Sequence, residues 1–238
     1  MRKKTKSEEG ACVYCGQIQI LTRDHIPPKN LFSEPRPSDL VSVPSCLECN
    51  NKASLDDEYF QVMLAMRADL YQRADISQIS PTILKSLMRP QKERFRQRLS
   101  NKIHFVEART PSGLFLGKKP AYEVNLARLN KVVQRITMGL FYRERGKRIS
   151  DNYSVFSHHI SEVVDMPQLR HRIFIENSVL PFLASLKPKE IGNGVFSYRA
   201  SFNPTDQNMS FWLFVFYEEV LFFSSTLPND APDVLPSG

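Results

Sequence analysis

The 238-residue chain is 42% apolar and 11% aromatic, enough to bury a core and long enough for one large or two small domains. No apolar run approaches the roughly 20 residues of a membrane span, and the N-terminus MRKKTKSEEG is charged, so no anchor or secretory leader is expected and a soluble, cytoplasmic protein is. The net charge of +7 is concentrated in the middle. Residues 85 to 148 carry 17 basic and 4 acidic side chains (+13), against 10 and 11 before them (−1) and 5 and 10 after them (−5). Such a block favours a polyanion through phosphate contacts and counterion release, with nucleic acid as the leading candidate.

In chain order, residues 1–10 read as a basic tail. The four cysteines form two Cys-x-x-Cys pairs, CVYC (Cys12, Cys15) and CLEC (Cys46, Cys49). That pattern suits a tetrahedral thiolate site for structural Zn2+ and is less suited to disulfides, buried free thiols or a redox pair. Between the pairs, QIQILTRDH reads as a short strand ending at His25, and LVSVPS as a second extended piece before Cys46. From Ser54, SLDDEYFQVMLAMRADLYQ predicts a helix: Ser54, Asp57 and Glu58 supply capping chemistry, and Leu55, Tyr59, Val62, Met63, Met66 and Leu70 recur at core spacing.

Pro81 is expected to open a further helix through PTILKSLMRPQKERFRQRLSN, with Pro90 breaking it and Lys92, Arg94, Arg96 and Arg98 crowding the stretch beyond. KIHFVEARTPSGLFLGKKPAYEV alternates around Pro111 to Gly113 and predicts a hairpin, with room for a third strand. NLARLNKVVQRITMGLFYRERG then predicts a helix with Leu126, Leu129, Val133, Ile136 and Leu140 on one side, a polar side bearing Arg128, Lys131, Arg135, Arg143 and Arg145, and Gly146 as its stop.

In the last third, VFSYRASFN and MSFWLFVFYEEVLFFSST predict aromatic-rich strands with Glu218 and Glu219 at a turn. Phe211, Trp212, Phe214, Phe216, Phe222 and Phe223 are expected to be core or a subunit interface in preference to a base-stacking platform. The tail, residues 227–238, is expected to be disordered.

The stretch TRDHIPPKNLF sets Asp24 beside His25 and then two prolines. A zinc-held pair of strands followed by a helix would bring His25, at a strand end, near Asn50 and Asn51 just after the second cysteine pair. A carboxylate, an amide oxygen and an imidazole together suit metal-assisted phosphodiester hydrolysis. Read in order, CVYC, DHIPP and CLECNNK resemble the HNH nuclease family, whose core is the ββα-metal finger, over roughly residues 11 to 75.

The resemblance implies that His25 is the general base, that Asp24 and Asn50 hold a catalytic Mg2+ or Mn2+, and that Cys12, Cys15, Cys46 and Cys49 hold Zn2+. Asn51 competes with Asn50 as ligand, and either is also a candidate helix cap. Asp39 is the nearest counterpart to the family's middle Asn. The expected architecture is α+β: a zinc-stabilised ββα finger over 11–78, then an accessory region over 79–226 of helices and antiparallel strands. The expected function is an HNH-type endonuclease acting on DNA, with RNA as a further substrate class and Lys52, Arg94, Arg96, Arg98, Arg128, Lys131 and Arg135 as backbone contacts. The competing expectation is a non-catalytic, zinc-stabilised nucleic-acid-binding module. A homodimer or a regulatory partner is expected to use the C-terminal region, and no membrane partner is expected.

Overall fold

The stretch IQILTRDHI forms the long strand of an N-terminal antiparallel sheet. The computed structural model describes residues 8–67, 69–70, 72–165 and 172–230. That sheet runs in the order β1 (Glu9–Ala11), β2 (Ile18–Ile26), β3 (Val41–Cys46). Residues 9 and 10, expected in the tail, therefore belong to a strand. In the β2–β3 register Asp24 lies opposite Val43 and His25 opposite Ser42, and a cis peptide joins Ile26 to Pro27.

Helix α1 (Leu47–Ala65) leaves β3 with no intervening loop. Its start lies seven residues before the expected Ser54, because the Cys46 thiol is the cap: its Sγ accepts from the Cys49 amide at 3.4 Å. A sulfur cap satisfies the same orphan amide as a serine hydroxyl does. Of the residues expected at core spacing, Tyr59, Val62, Met63 and Leu70 are buried, with Phe60 and Leu64 beside them, whereas Leu55 and Met66 are exposed.

Helix α2 (Ala74–Leu87) likewise starts before Pro81, with Ile76, Ile79 and Ile83 buried and Asp75 accepting from the Ile76 amide at 2.8 Å. Pro81 sits inside it on the exposed side. The carbonyl it leaves unpaired belongs to Ser77, itself exposed, so the usual cost of a helical proline is softened by solvent. As expected, the helix breaks near Pro90, and α3 (Glu93–Ser100) follows. Strands β4 (Ile103–Arg109) and β5 (Phe115–Tyr122) form a two-stranded sheet with no third member, with a register shift at Ala108 and Arg109.

Helix α4 (Leu126–Arg145) begins as the sequence predicts, with the Asn125 side chain accepting from the Arg128 amide. It ends at Gly146, whose φ of 69° is the left-handed conformation glycine adopts freely. The C-terminal part is a five-stranded antiparallel sheet, β6 (Tyr153–His159), β7 (Lys189–Ile191), β8 (Phe196–Phe202), β9 (Ser210–Phe216) and β10 (Val220–Pro228), in the order β6-β10-β9-β8-β7. Among the described residues, short helices α5 (Ile160–Asp165), α6 (Arg172–Phe174) and α7 (Leu180–Ser185) lie between β6 and β7, the last two linked by a π-helical turn at Ile175–Val179. Glu218 and Glu219 do lie at the β9–β10 turn, with Tyr217 and Glu218 at positive φ.

Side-chain alternation gives that sheet two apolar faces. Trp212, Phe214, Phe216 and Phe222 join a core shared with α1, α2, α4 and the N-terminal sheet, whereas Leu213 and Phe223 meet Val163, Ile175, Val179 and Leu183 on the other side. The aromatic strands are core, as expected, with Phe211 partly buried. The first core is continuous from Val13 and Ile26 through Phe60 and Ile136 to Trp212, and the boundary expected at residue 78 falls within α2. Leu227 and Pro228 end β10, and residues 231–238 lie outside the described residues. No helix among the described residues is long and apolar enough to cross a membrane.

Candidate functional site

The two cysteine pairs meet where the β1–β2 turn faces the start of α1. Cys12 donates its amide to the Gln17 carbonyl at 3.0 Å and accepts from the Gly16 amide at 2.9 Å, a tight knuckle that Gly16 completes at φ 73°. Cys46 ends β3, and Cys49 lies in the first turn of α1. The four Sγ atoms lie within 4.8 Å of one another, with Cys15 and Cys46 3.9 Å apart. Tetrahedral Zn–S bonds place sulfurs about 3.8 Å apart, so the set could hold a metal ion such as Zn2+. Burial raises the Cys12 thiol, but backbone hydrogen bonds from Cys15, Cys46 and Tyr14 outweigh it and bring the thiol down to about 7. The Arg148 guanidinium packs over Gly16, 2.8 Å from where a β-carbon would stand, and pairs with Asp151 at 2.6 Å; no local motif signals this cation beside the thiols, because it comes from far along the chain.

Asp24 and His25 occupy opposite sides of β2. Asp24 points inward and is 6% exposed. Its Oδ2 accepts from the Tyr14 hydroxyl at 2.7 Å and lies 3.2 Å from Nε of Arg135 on α4. The same guanidinium donates to both Asp57 oxygens, at 2.6 and 2.7 Å. Two buried carboxylates thus share one buried cation. Burial, resisted by Arg135 and reinforced by the charge of Asp24, raises Asp57 to about 6, and the two carboxylates hold the Arg135 guanidinium above its ordinary value against burial.

His25 is half-buried. Its pKa lies below the usual 6.5 because of burial, then Lys29, with Arg36 adding to the effect and Asp24 opposing it. The imidazole is therefore mostly neutral at physiological pH, as a proton acceptor needs to be. Both Lys29 and Arg36 follow closely on the DHIPP motif and are exposed, and Arg36 pairs with Glu34 at 2.9 Å; sequence reasoning overlooked them.

Asn50 lies in the first turns of α1. Its Nδ2 donates to the Thr22 hydroxyl at 3.1 Å and to the Arg23 carbonyl at 3.4 Å, and Thr22 in turn donates to the Ser45 carbonyl at 2.8 Å. Asn50 thus approaches the peptide link between Arg23 and Asp24, and neither it nor Asn51 is the helix cap. As the side chains stand, Asp24 and Asn50 do not fit a catalytic Mg2+ or Mn2+: Arg135 already provides the positive charge that such an ion would bring to the carboxylate. Asp39 is exposed in a turn.

The predicted nucleic-acid contacts divide by burial. Arg135 is 11% exposed and committed to its ion pairs. Arg128 is held by Asp56 at 2.6 Å and the Leu55 carbonyl at 2.9 Å, over the Tyr59 ring. Lys131, Arg94 and Arg98 are exposed, Arg96 donates to the Leu87 carbonyl at 3.1 Å, and exposed Lys52 pairs with Glu48 at 2.5 Å. Periodicity identified the polar side of α4 but not that the acidic first half of α1 faces it, which commits Arg128 and Arg135 to internal pairs. The chain matches no family model, no curated protein and no solved structure.

Proposed function

We propose that the chain is an HNH-type endonuclease that hydrolyses phosphodiester bonds in DNA, with His25 as general base and Zn2+ on the four cysteines as a structural ion. The observation that carries this reading is the ββα order around the Asp-His pair: a half-exposed, mostly neutral imidazole on β2, with Asn50 of the next helix reaching the backbone beside it. In the reaction His25 takes a proton from water as the water oxygen bonds to phosphorus and the bond to the leaving oxygen breaks. Such a base contributes about 100- to 10,000-fold. Exposed Lys29, whose charge acts on His25, is suited to the phosphate's charge.

The Asp24–Arg135 ion pair favours a second reading, a zinc-stabilised module that binds nucleic acid without cutting it. Supercoiled plasmid with wild type and His25→Ala, with and without Mg2+ or Mn2+, separates the two. The nuclease reading expects nicking that is lost in His25→Ala, and a further requirement for the added ion would place a metal site apart from the Asp24–Arg135 pair. Nicking indifferent to His25 removes the base from the mechanism, and plasmid binding without nicking selects the second reading.

A further inference from the structure

The β4–β5 hairpin is the one sheet among the described residues that contributes no fully buried residue. Its base is closed by the Glu123 amide, which donates to the Lys102 carbonyl at 3.2 Å, and is tied to α1 by the Tyr122 hydroxyl, which donates to the Met63 carbonyl at 3.2 Å. Beyond that base, strands of this length reach roughly 25 Å, and no other strand pairs with either edge among the described residues. A bare two-stranded ribbon is marginal in water, so this one is built at a cost in stability. At its far end Leu114, Phe115 and Leu116 are 65%, 51% and 53% exposed.

Directly behind that apolar tip come Lys118 and Lys119, both exposed. Being adjacent in a strand, they project from opposite faces of the ribbon. Lys118 lies opposite Glu107, which is already paired with Arg109 at 2.9 Å, and Lys119 lies opposite exposed Val106. Each face of the thin blade thus keeps a net positive charge, which matches a groove bordered by two phosphate backbones. A lipid surface offers a single charged plane, and a second copy of the ribbon would set lysine against lysine. Helix α3, which runs directly into β4, adds exposed Arg94 and Arg98 at the root.

We propose that the β4–β5 hairpin is an arm that grips duplex DNA, with Lys118 and Lys119 on the two backbones flanking a groove and Leu114 and Phe115 wedged against a base step. Apolar wedges backed by cations unstack and kink duplexes in this way. The inference rests on the reading of the chain as a protein that acts on DNA, and it adds the form in which the substrate is held: double-stranded and locally unstacked.

The test uses the full-length, zinc-loaded protein without added Mg2+ or Mn2+, and a duplex carrying 2-aminopurine, whose fluorescence rises on unstacking. Wild type should raise the signal on binding. Leu114→Ser/Phe115→Ser should lose that rise while keeping the salt dependence of affinity. Lys118→Ala/Lys119→Ala should flatten the slope of log affinity against log salt by about 2, near 0.9 per lost phosphate contact. Bound wild type with no rise, or two variants that behave as wild type, would overturn the arm. So would loss in the wedge variant of binding to phosphatidylserine vesicles, or of self-association, with duplex behaviour unchanged. Binding and unstacking without any nicking would overturn the nuclease reading and leave the arm standing, whereas nicking with both variants unaltered would overturn the arm alone.

Discussion

Arg135 on α4 stands 3.2 Å from Asp24 on β2, so the carboxylate of the Asp-His pair is neutralised from across the core by a residue 111 positions later in the chain. With Asp57 on the same guanidinium, Arg135 ties β2, α1 and α4 together at one buried point. Arg135→Met leaves two buried carboxylates without their cation, and loss of one partner from a buried pair costs about 3–5 kcal/mol. Chemical denaturation should show a fall of that order. Lys131→Glu, one turn earlier and exposed, should leave stability unchanged and weaken DNA binding at low salt. A stable Arg135→Met protein would show that the three elements are held by packing alone.

Asp57 makes stability depend on pH in a stated direction. Its folded value, about 6, lies above the 3.8 of the free side chain, so folding takes up a proton between those values. The associated stabilisation is complete below about pH 4 and is lost as pH rises to about 6; at about 1.4 kcal/mol per unit it amounts to about 3 kcal/mol. The difference in unfolding free energy between wild type and Asp57→Asn should therefore shift in favour of the variant across that window. A difference that stays flat from pH 4 to 7 would mean that Asp57 is ionised throughout.

Cys46 has two places in the structure, as a member of the four-cysteine cluster and as the N-cap of α1. Cys46→Ser retains a capping oxygen but removes a soft metal ligand, so zinc content should fall below one equivalent while α1 keeps its start. Cys46→Ala removes both and should unfold at a lower temperature than Cys46→Ser, since loss of a cap costs about 1 kcal/mol. Equal melting temperatures would show that the thiol's capping role contributes nothing.

Gly139 of α4 packs against the DHIPP segment: a β-carbon there would stand 2.6 Å from Cγ1 of fully buried Ile26, the residue after His25. Gly139→Ala gains helix propensity but overfills the contact, which costs about 1–3 kcal/mol. Net destabilisation together with slower cleavage is the expected result. A stabilised, fully active variant would mean that Ile26 repacks without disturbing its neighbour.

What could be read from the sequence follows how local the signal was. Strands β2 and β3, the cysteine cluster and both ends of α4 were legible because alternation, Cys-x-x-Cys spacing, Asn125 and Gly146 act within a few residues. The start of α1 was not, because a thiol cap lacks the Ser, Thr, Asp or Asn signature. Strands β6 and β7 and the helices between them went unread, since SVFSHHISEVV holds no period long enough to decide. Arg135 was misjudged for a different reason: its helix face was read correctly, but burial of that face depends on acidic residues far away in the sequence.

The packing beneath the N-terminal sheet has a consequence for synthesis. Phe60 stacks edge-on against Phe216 with centroids 5.0 Å apart, and the Tyr217 hydroxyl donates to the Leu31 carbonyl at 2.8 Å. On the ribosome, the first sixty residues emerge long before the strands that cover them. The apolar underside of the cysteine knuckle stays wet until β9 and β10 arrive, so a metal ion on the four cysteines would be the one cross-link available to the segment in that interval.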